Sequence, residues 1–289
     1  MKYVDVFYQS DDGLRLYARD YPGPAKDSPA VICLPGLTRN SKDFDDLAQV
    51  LQATCRVICP DQRGRGRSQR DPLPENYRPD RYVKDMRTLL DLLDIGRVVV
   101  IGTSLGGLMA MLLMAVDAAR VAALVLNDVG PVVDPHGLAR IAGYVGKTAP
   151  ARNWDEATDQ TAFINGVAFP EYSRADWAAM ARELYIQEER TPVLGYDPAI
   201  AANVVAVTAA INLWPLFESV AARPMLLIRG ETSDILSEAT TTEMVARLPQ
   251  LKAVTVPKRG HAPTLREPVA RAAILQFVAA HGEKQTAGA

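Results

Sequence analysis

The chain has 289 residues, of which 48% are hydrophobic and 23% are charged, and its net charge is −2. This composition is typical of a folded globular protein and excludes a disordered chain, and the length suits one large α/β domain with an insertion or two small domains. Because so small a net charge gives no overall attraction to polyanions, we expect neither nucleic acid nor a membrane as a partner.

The predicted elements begin with a β-hairpin, whose strands at 4–8 and 14–18 flank the turn Asp11-Asp12-Gly13. Short apolar runs follow that lack the period-two alternation of a half-exposed strand. Such runs are typical of parallel strands covered on both faces. They lie at 30–34, 57–59, 98–101, 121–126, 225–228 and 253–256.

Helical segments alternate with these runs. In the segment 80–93, apolar side chains recur at spacings of three and four and therefore share one helix face. Another helix is predicted after Glu267, because Pro268 suits the first helical position. The alternation of strand and helix predicts an α/β fold with a doubly wound, mostly parallel sheet.

The alternation stops after Gly130 and resumes after Ala222. The intervening segment is helix-rich and contains all three tryptophans, Trp154, Trp177 and Trp214. We therefore predict a core formed by 1–130 and 223–289, with a helical cap at 131–222. The aromatic side chains of the cap indicate a small core of its own, and a lid whose inner face lines a pocket would also be rich in such side chains.

The most informative motif is Gly102-Thr103-Ser104-Leu105-Gly106, which fits the G-x-S-x-G nucleophile elbow. An apolar strand precedes the motif and a long apolar helical run follows it, as the elbow requires. Ser104 is therefore the predicted nucleophile. The backbone N–H of Leu105, at the helix start, is one predicted oxyanion donor, and the N–H of Leu37, in the loop after an earlier strand, is the other.

The nucleophile needs a base, and the chain has three histidines. His281 lies near the polar tail and His136 lies in the segment that leaves the core, whereas His261 follows the last predicted strand. Ligands meet open α/β sheets at the carboxyl ends of their strands, so His261 is the predicted base.

Two acids also follow strands and would orient the imidazole. Asp234 comes after the strand at 225–228, and Asp128 comes after the strand at 121–126. The chain order of nucleophile, acid and histidine holds for both. We favour Asp234 as the catalytic acid and keep Asp128 as the alternative acid.

The sequence also favours a cytoplasmic location. Residues 1–12 lack the pattern of a secretory signal, and the longest apolar run, 105–116, is too short to span a bilayer. The three cysteines have no metal-ligand spacing with the histidines, and two of them lie in apolar runs, so we expect reduced thiols. A serine nucleophile with a histidine base needs no metal or organic cofactor, and we expect neither.

Taken together, these motifs resemble the α/β-hydrolase superfamily. The resemblance covers 1–130 and 223–289 and includes the elbow, the segment 60–68, the run Gly230 to Asp234 and Gly260-His261. It implies an eight-stranded, mostly parallel sheet with a helical cap after the sixth strand, a Ser104–His261–Asp234 triad, and an oxyanion hole at Leu37 and Leu105. Pro35 stands where many members have histidine.

The resemblance implies a serine hydrolase that cleaves a small carboxylic ester or lactone. Carbon–carbon bond hydrolysis, enol-lactone opening and cofactor-free peroxidase-like chemistry would use the same triad and remain alternatives. Members that open epoxides or displace halide have aspartate at the elbow, so Ser104 argues against both activities. A non-catalytic ligand-binding protein is a further alternative, and the expected partner in every case is a small molecule. The sequence leaves the oligomeric state open.

Overall fold

A computed structural model describes residues 3–189, 191–204 and 212–285. Within these ranges the strands are β1 Val4–Gln9, β2 Arg15–Tyr21, β3 Ala30–Leu34, β4 Arg56–Asp61, β5 Val98–Thr103, β6 Val121–Asn127, β7 Tyr185–Glu188, β8 Thr191–Leu194, β9 Met225–Gly230 and β10 Lys252–Val256. The α-helices are α1 Asp45–Leu51, α2 Pro79–Leu92, α3 Leu105–Val116, α4 Pro135–Tyr144, α5 Trp154–Asn165, α6 Arg174–Leu184, α7 Ala201–Val204, α8 Trp214–Ser219, α9 Glu238–Arg247 and α10 Pro268–His281.

Eight strands form one sheet in the order β1-β2-β4-β3-β5-β6-β9-β10. The pairs β1–β2 and β2–β4 are antiparallel, and the remaining neighbours are parallel. This confirms the predicted α/β fold with an eight-stranded, mostly parallel sheet. The carboxyl ends of β5, β6 and β9 lie side by side at one edge, which brings the loops after these strands together.

The continuous apolar runs of the central strands are explained by burial on both faces. Along β3, Ile32 and Leu34 join one core cluster, whereas Val31 and Cys33 join a second cluster on the opposite face. Successive side chains of a strand point to opposite faces. Helices α2 and α3 contribute to the first cluster and α1 and α10 to the second, so both faces of the sheet are covered.

The segment between β6 and β9 contains helices α4 to α8 and a two-stranded hairpin, β7–β8, which the sequence analysis did not anticipate. Part of the segment has its own core cluster, in which Phe169, Trp177 and Met180 are buried. Trp214 instead packs with Phe217 against the main core. We retain the division into a core, 1–130 and 223–289, and a cap, 131–222, as a proposal.

Among the helices within the described ranges, not one combines the length and the apolar character that crossing a bilayer demands.

Candidate active site

Ser104 occupies a sharp turn between β5 and α3. Its backbone has φ 53° and ψ −115°, a region that non-glycine residues rarely adopt. The Ser104 N–H donates to the carbonyl oxygen of Asn127 at 2.9 Å, which ties the turn to the end of the neighbouring strand β6. Strained backbone of this kind is concentrated at functional sites, because the surrounding structure must hold it in place.

Two glycines of the motif allow this turn. A Cβ atom on Gly102 would lie 2.3 Å from the carbonyl oxygen of Gly106, and a Cβ atom on Gly106 would lie 2.0 Å from the carbonyl oxygen of Leu34. Both distances are far below van der Waals contact. The glycine spacing therefore reflects close backbone approach on both sides of Ser104.

The structure brings Ser104 and His261 together, with His261 on the loop after β10. The imidazole Nε2 lies 2.9 Å from the Ser104 hydroxyl, and Nδ1 lies 2.8 Å from Oδ2 of Asp128. The histidine side chain is 9% exposed and that of Asp128 is fully buried. The three groups form one continuous chain of hydrogen bonds that can pass a proton from the hydroxyl to the imidazole.

The expectation that Asp234 contacts His261 is wrong, because Asp128, the alternative acid, holds that position. Asp128 also accepts hydrogen bonds from the Gly230 N–H at 2.8 Å and from the Ser233 hydroxyl at 2.6 Å. The loop after β9 that carries Asp234 therefore supports the other acid.

Asp234 instead pairs with Arg140 of α4. The guanidinium donates from Nε at 2.5 Å and from Nη2 at 2.9 Å, one bond to each carboxylate oxygen. Burial alone would raise the pKa of Asp234, but the hydrogen bonds and charge of Arg140 outweigh it and lower that pKa. The same contact raises the pKa of Arg140. The ion-pair partner of Asp234 is thus Arg140, which lies in the segment between β6 and β9.

The sheet order explains which acid reaches the histidine. Strand β6 is the direct neighbour of β5, so Asp128, the first residue after β6, emerges beside Ser104. Asp234 lies one strand farther away and four residues beyond the end of β9. Both acids follow an apolar run in the sequence, so that signal alone does not choose between them.

The two predicted oxyanion donors belong to backbone next to Ser104. Leu105 is the first residue of α3, and the first N–H groups of a helix have no partner within it. Leu37 follows Gly36, where an added Cβ atom would lie 3.8 Å from Cβ of Ser104. Leu37 also lines the same two cavities as Ser104. Leu37 and Leu105 therefore lie next to Ser104, and their role as oxyanion donors stays a prediction.

Asn127 is a site residue that the sequence analysis missed. Its fully buried side-chain amide donates to Oγ1 of Thr103 at 3.0 Å and to the carbonyl oxygen of Pro263 at 2.8 Å. Thr103 precedes the nucleophile, and Pro263 lies two residues after His261. Asn127 therefore links the loop of the serine to the loop of the histidine.

Two cavities meet at Ser104, and both are also lined by Leu37 and Ile141. The first, the polar cavity, contains His261 and is further lined by Arg39, Asp43, Arg140, Asn165, Glu183 and Arg266. The second, the apolar cavity, is lined by Leu105, Leu108, Val129, Val133, Leu138 and Ile235. Among the described residues that line the two cavities, none is tryptophan.

The three arginines of the polar cavity differ in how far carboxylates neutralise them. Arg140 is bound by Asp234, and Arg266 forms an ion pair with Glu183 at 2.5 Å. Arg39 donates to the neutral amide oxygen of Asn165 at 3.0 Å. Among the described residues, its only ion-pair contact is Asp43 at 3.7 Å. Arg39 is therefore the least neutralised of the three.

A group of carboxylates away from this site has a spacing that would suit a metal ion. Asp11, Asp12 and Asp85 bring one oxygen each within 4.8 Å of one another. Arg63 lies 2.9 Å from Asp12 and 2.7 Å from Asp85, and Arg81 lies 2.9 Å from Asp11. Guanidinium groups thus already supply positive charge to this cluster, and it serves the packing of the β1–β2 turn against α2.

Comparison with known proteins gives consistent matches. Residues 29–268 match the model of the alpha/beta hydrolase fold family. The 3-hydroxybutyrate-oligomer hydrolase of Cupriavidus necator is 35% identical over 93% of this chain and 94% of its own. The 2-(acetamidomethylene)succinate hydrolase of Mesorhizobium japonicum is 27% identical over 81% of each chain. A crystal structure of an alpha/beta hydrolase from Novosphingobium aromaticivorans has a TM-score of 0.90 at 44% identity and covers 96% of this chain and 98% of that one.

Proposed function

The chain belongs to the α/β-hydrolase family, and we propose that it is a serine hydrolase that cleaves a small carboxylic ester through an acyl-enzyme. The observation that carries the proposal is the hydrogen-bond chain from Asp128 through His261 to Ser104, with distances of 2.8 Å and 2.9 Å, at the junction of two cavities. We expect the protein to be located in the cytoplasm, and the proposed reaction needs no cofactor.

The proposed reaction begins with proton transfer from the Ser104 hydroxyl to Nε2 of His261. Asp128 accepts the Nδ1–H of His261, which leaves Nε2 unprotonated and able to act as the base. Oγ of Ser104 attacks the ester carbonyl carbon, and the developing oxyanion accepts hydrogen bonds from the N–H groups of Leu37 and Leu105.

The tetrahedral intermediate then collapses. The bond between the carbonyl carbon and the alcohol oxygen breaks, and Nε2–H of His261 protonates the departing alkoxide. A water molecule, deprotonated by the same Nε2, attacks the acyl-enzyme and releases the carboxylic acid. Each proton that His261 removes is returned to a leaving oxygen, so the cycle balances without an external acid or base.

Ester hydrolysis is favoured over the other reactions of this triad by the names of relatives. The relative from Cupriavidus necator, which matches over nearly its whole length, is named for the hydrolysis of a hydroxy-acid oligomer. That name supports an ester of a hydroxy acid as the natural substrate. Carbon–carbon bond hydrolysis, enol-lactone opening and peroxidase-like chemistry remain possible uses of the same groups.

The test is hydrolysis of p-nitrophenyl butyrate by the wild type and by Ser104→Ala. We expect turnover by the wild type and a loss of about 10⁴-fold or more in kcat in the variant, because the nucleophile is removed. Ser219→Ala, which changes an exposed serine of α8, is the matched control and should retain wild-type kcat. Turnover that survives Ser104→Ala would contradict the proposal, and no turnover by the wild type would favour a binding protein.

A further inference from the structure

The two cavities differ in chemistry, and His261 lines only the polar one within the described part of the chain. This asymmetry sets the direction in which an ester can bind. The histidine must protonate the departing alcohol, so the alcohol half of the substrate has to lie on the side of His261. The acyl half then extends toward the apolar cavity, next to Leu105 and Leu108.

The side of His261 is also the side of the positive charge. Arg39 and Arg140 both line the polar cavity together with Ser104. Arg39 lies two residues after Leu37, and its own N–H donates to the carbonyl oxygen of Gly36 at 3.1 Å. The same tight turn therefore carries the backbone of an oxyanion donor and that of Arg39, whose guanidinium is held by its hydrogen bond to Asn165.

The guanidinium of Arg39 can bind a further anion. Its hydrogen bond within the described residues goes to the uncharged Asn165, and the carboxylate oxygen of Asp43 is 3.7 Å away, beyond hydrogen-bond distance. The Arg39 side chain is only 19% exposed, so water screens a contact with it less than it would at the surface.

We propose that the substrate is an O-acylated hydroxycarboxylate whose free carboxylate lies on the alcohol half and binds Arg39 in the polar cavity, while the acyl chain occupies the apolar cavity. The inference depends on the proposed ester hydrolysis and adds the substrate class and its orientation. Hydrolysis of such a substrate releases a hydroxy acid first and leaves the acyl group on Ser104. An oligomer of a hydroxy acid would accordingly be shortened from its carboxyl end.

The test compares two isomeric anions that carry the carboxylate on opposite halves. In 3-butanoyloxybutanoate the carboxylate belongs to the alcohol half, and in monobutyl succinate it belongs to the acyl half. We expect kcat/KM of the wild type to be about tenfold to hundredfold higher for 3-butanoyloxybutanoate, because only this isomer pairs its charge with a guanidinium. The neutral 3-butanoyloxybutanamide should be disfavoured by a similar factor.

Variants of Arg39 test the residue assigned to the carboxylate. Arg39→Gln should abolish most of the preference for 3-butanoyloxybutanoate over its amide, mainly through KM, and Arg39→Lys should restore part of it. Arg174→Gln removes an exposed arginine that pairs with Asp155 and Asp159, and the preference should persist in this control.

The inference is overturned if monobutyl succinate is hydrolysed as well as its isomer, or if Arg39→Gln leaves the ratio of anion to amide unchanged. Failure of the underlying ester hydrolysis has a different signature. In that case the wild type would not turn over p-nitrophenyl butyrate either, whose acyl chain is the same and whose leaving group carries no carboxylate.

Discussion

Replacement of Asp128 by asparagine distinguishes the two acids most directly. Asp128 accepts hydrogen bonds from His261, Gly230 and Ser233 at 2.8, 2.8 and 2.6 Å. In Asp128→Asn, the amide oxygen can still accept the Gly230 N–H, which turns the amide NH₂ group toward His261 and Ser233. The Ser233 hydroxyl can rotate to accept from that group.

The imidazole of His261 can adapt to the new amide only by changing its tautomer, and that change slows catalysis. Facing an NH₂ donor, Nδ1 of His261 must be the acceptor, so the proton moves to Nε2, where it blocks proton transfer from Ser104. A triad with the wrong tautomer loses about 10³- to 10⁴-fold in kcat, which corresponds to about 4–5.5 kcal/mol of transition-state stabilisation. Because the substitution is isosteric, the fold should be preserved.

Asp234→Asn is the matched comparison because Asp234 bonds to Arg140 and not to His261. We expect kcat for p-nitrophenyl butyrate to fall by less than about tenfold, the scale of a partly exposed ion pair. Steady-state kinetics of both variants at pH 7 to 8 give the comparison, with circular dichroism as a check of folding. A smaller loss for Asp128→Asn than for Asp234→Asn would refute the assignment of the acid.

Three further predictions concern the link between the serine and histidine loops, the stability of the fold and the length of the acyl chain. Asn127→Ala should lower kcat by about tenfold with an unchanged circular dichroism spectrum, because two hydrogen bonds between the catalytic loops are lost, and wild-type kcat would contradict that role. Arg63→Met should lower the free energy of unfolding by about 3–5 kcal/mol in urea titrations, because it leaves the buried carboxylates of Asp71 and Asp85 without their arginine and leaves Asp12 with Arg81 alone. Since hydrogen bonds from Arg63 lower the pKa of Asp12, the part of this stabilisation that comes from Asp12 should be present above pH ~4 and fall as the pH drops further, and a pH-independent difference between the two proteins would argue against the ion pair. For p-nitrophenyl esters, kcat/KM should rise by up to about fourfold per added methylene from acetate to butyrate, and a decline would mean that the acyl chain does not enter the apolar cavity.

Local sequence patterns determined the strands of the sheet and the positions of the predicted nucleophile and base. The apolar runs of the central strands specify buried parallel strands because both faces of each are covered, as Ile32 and Val31 illustrate. Gly102 and Gly106 are required because the backbone approaches them closely, from within the turn and from strand β3. The motif that these contacts impose can therefore be recognised from the sequence alone.

Tertiary structure decided which acid serves the histidine. Asp128 and Asp234 both follow strands and have the same chain order relative to Ser104 and His261, so sequence spacing does not separate them. The choice depends on strand order, which places β6 next to β5, and on Arg140, which binds Asp234 from a helix distant in the chain. Side-chain pairing between remote segments leaves no periodic signature in the sequence. For the same reason, the meeting of a polar and an apolar cavity at Ser104 became visible only when the chain was folded.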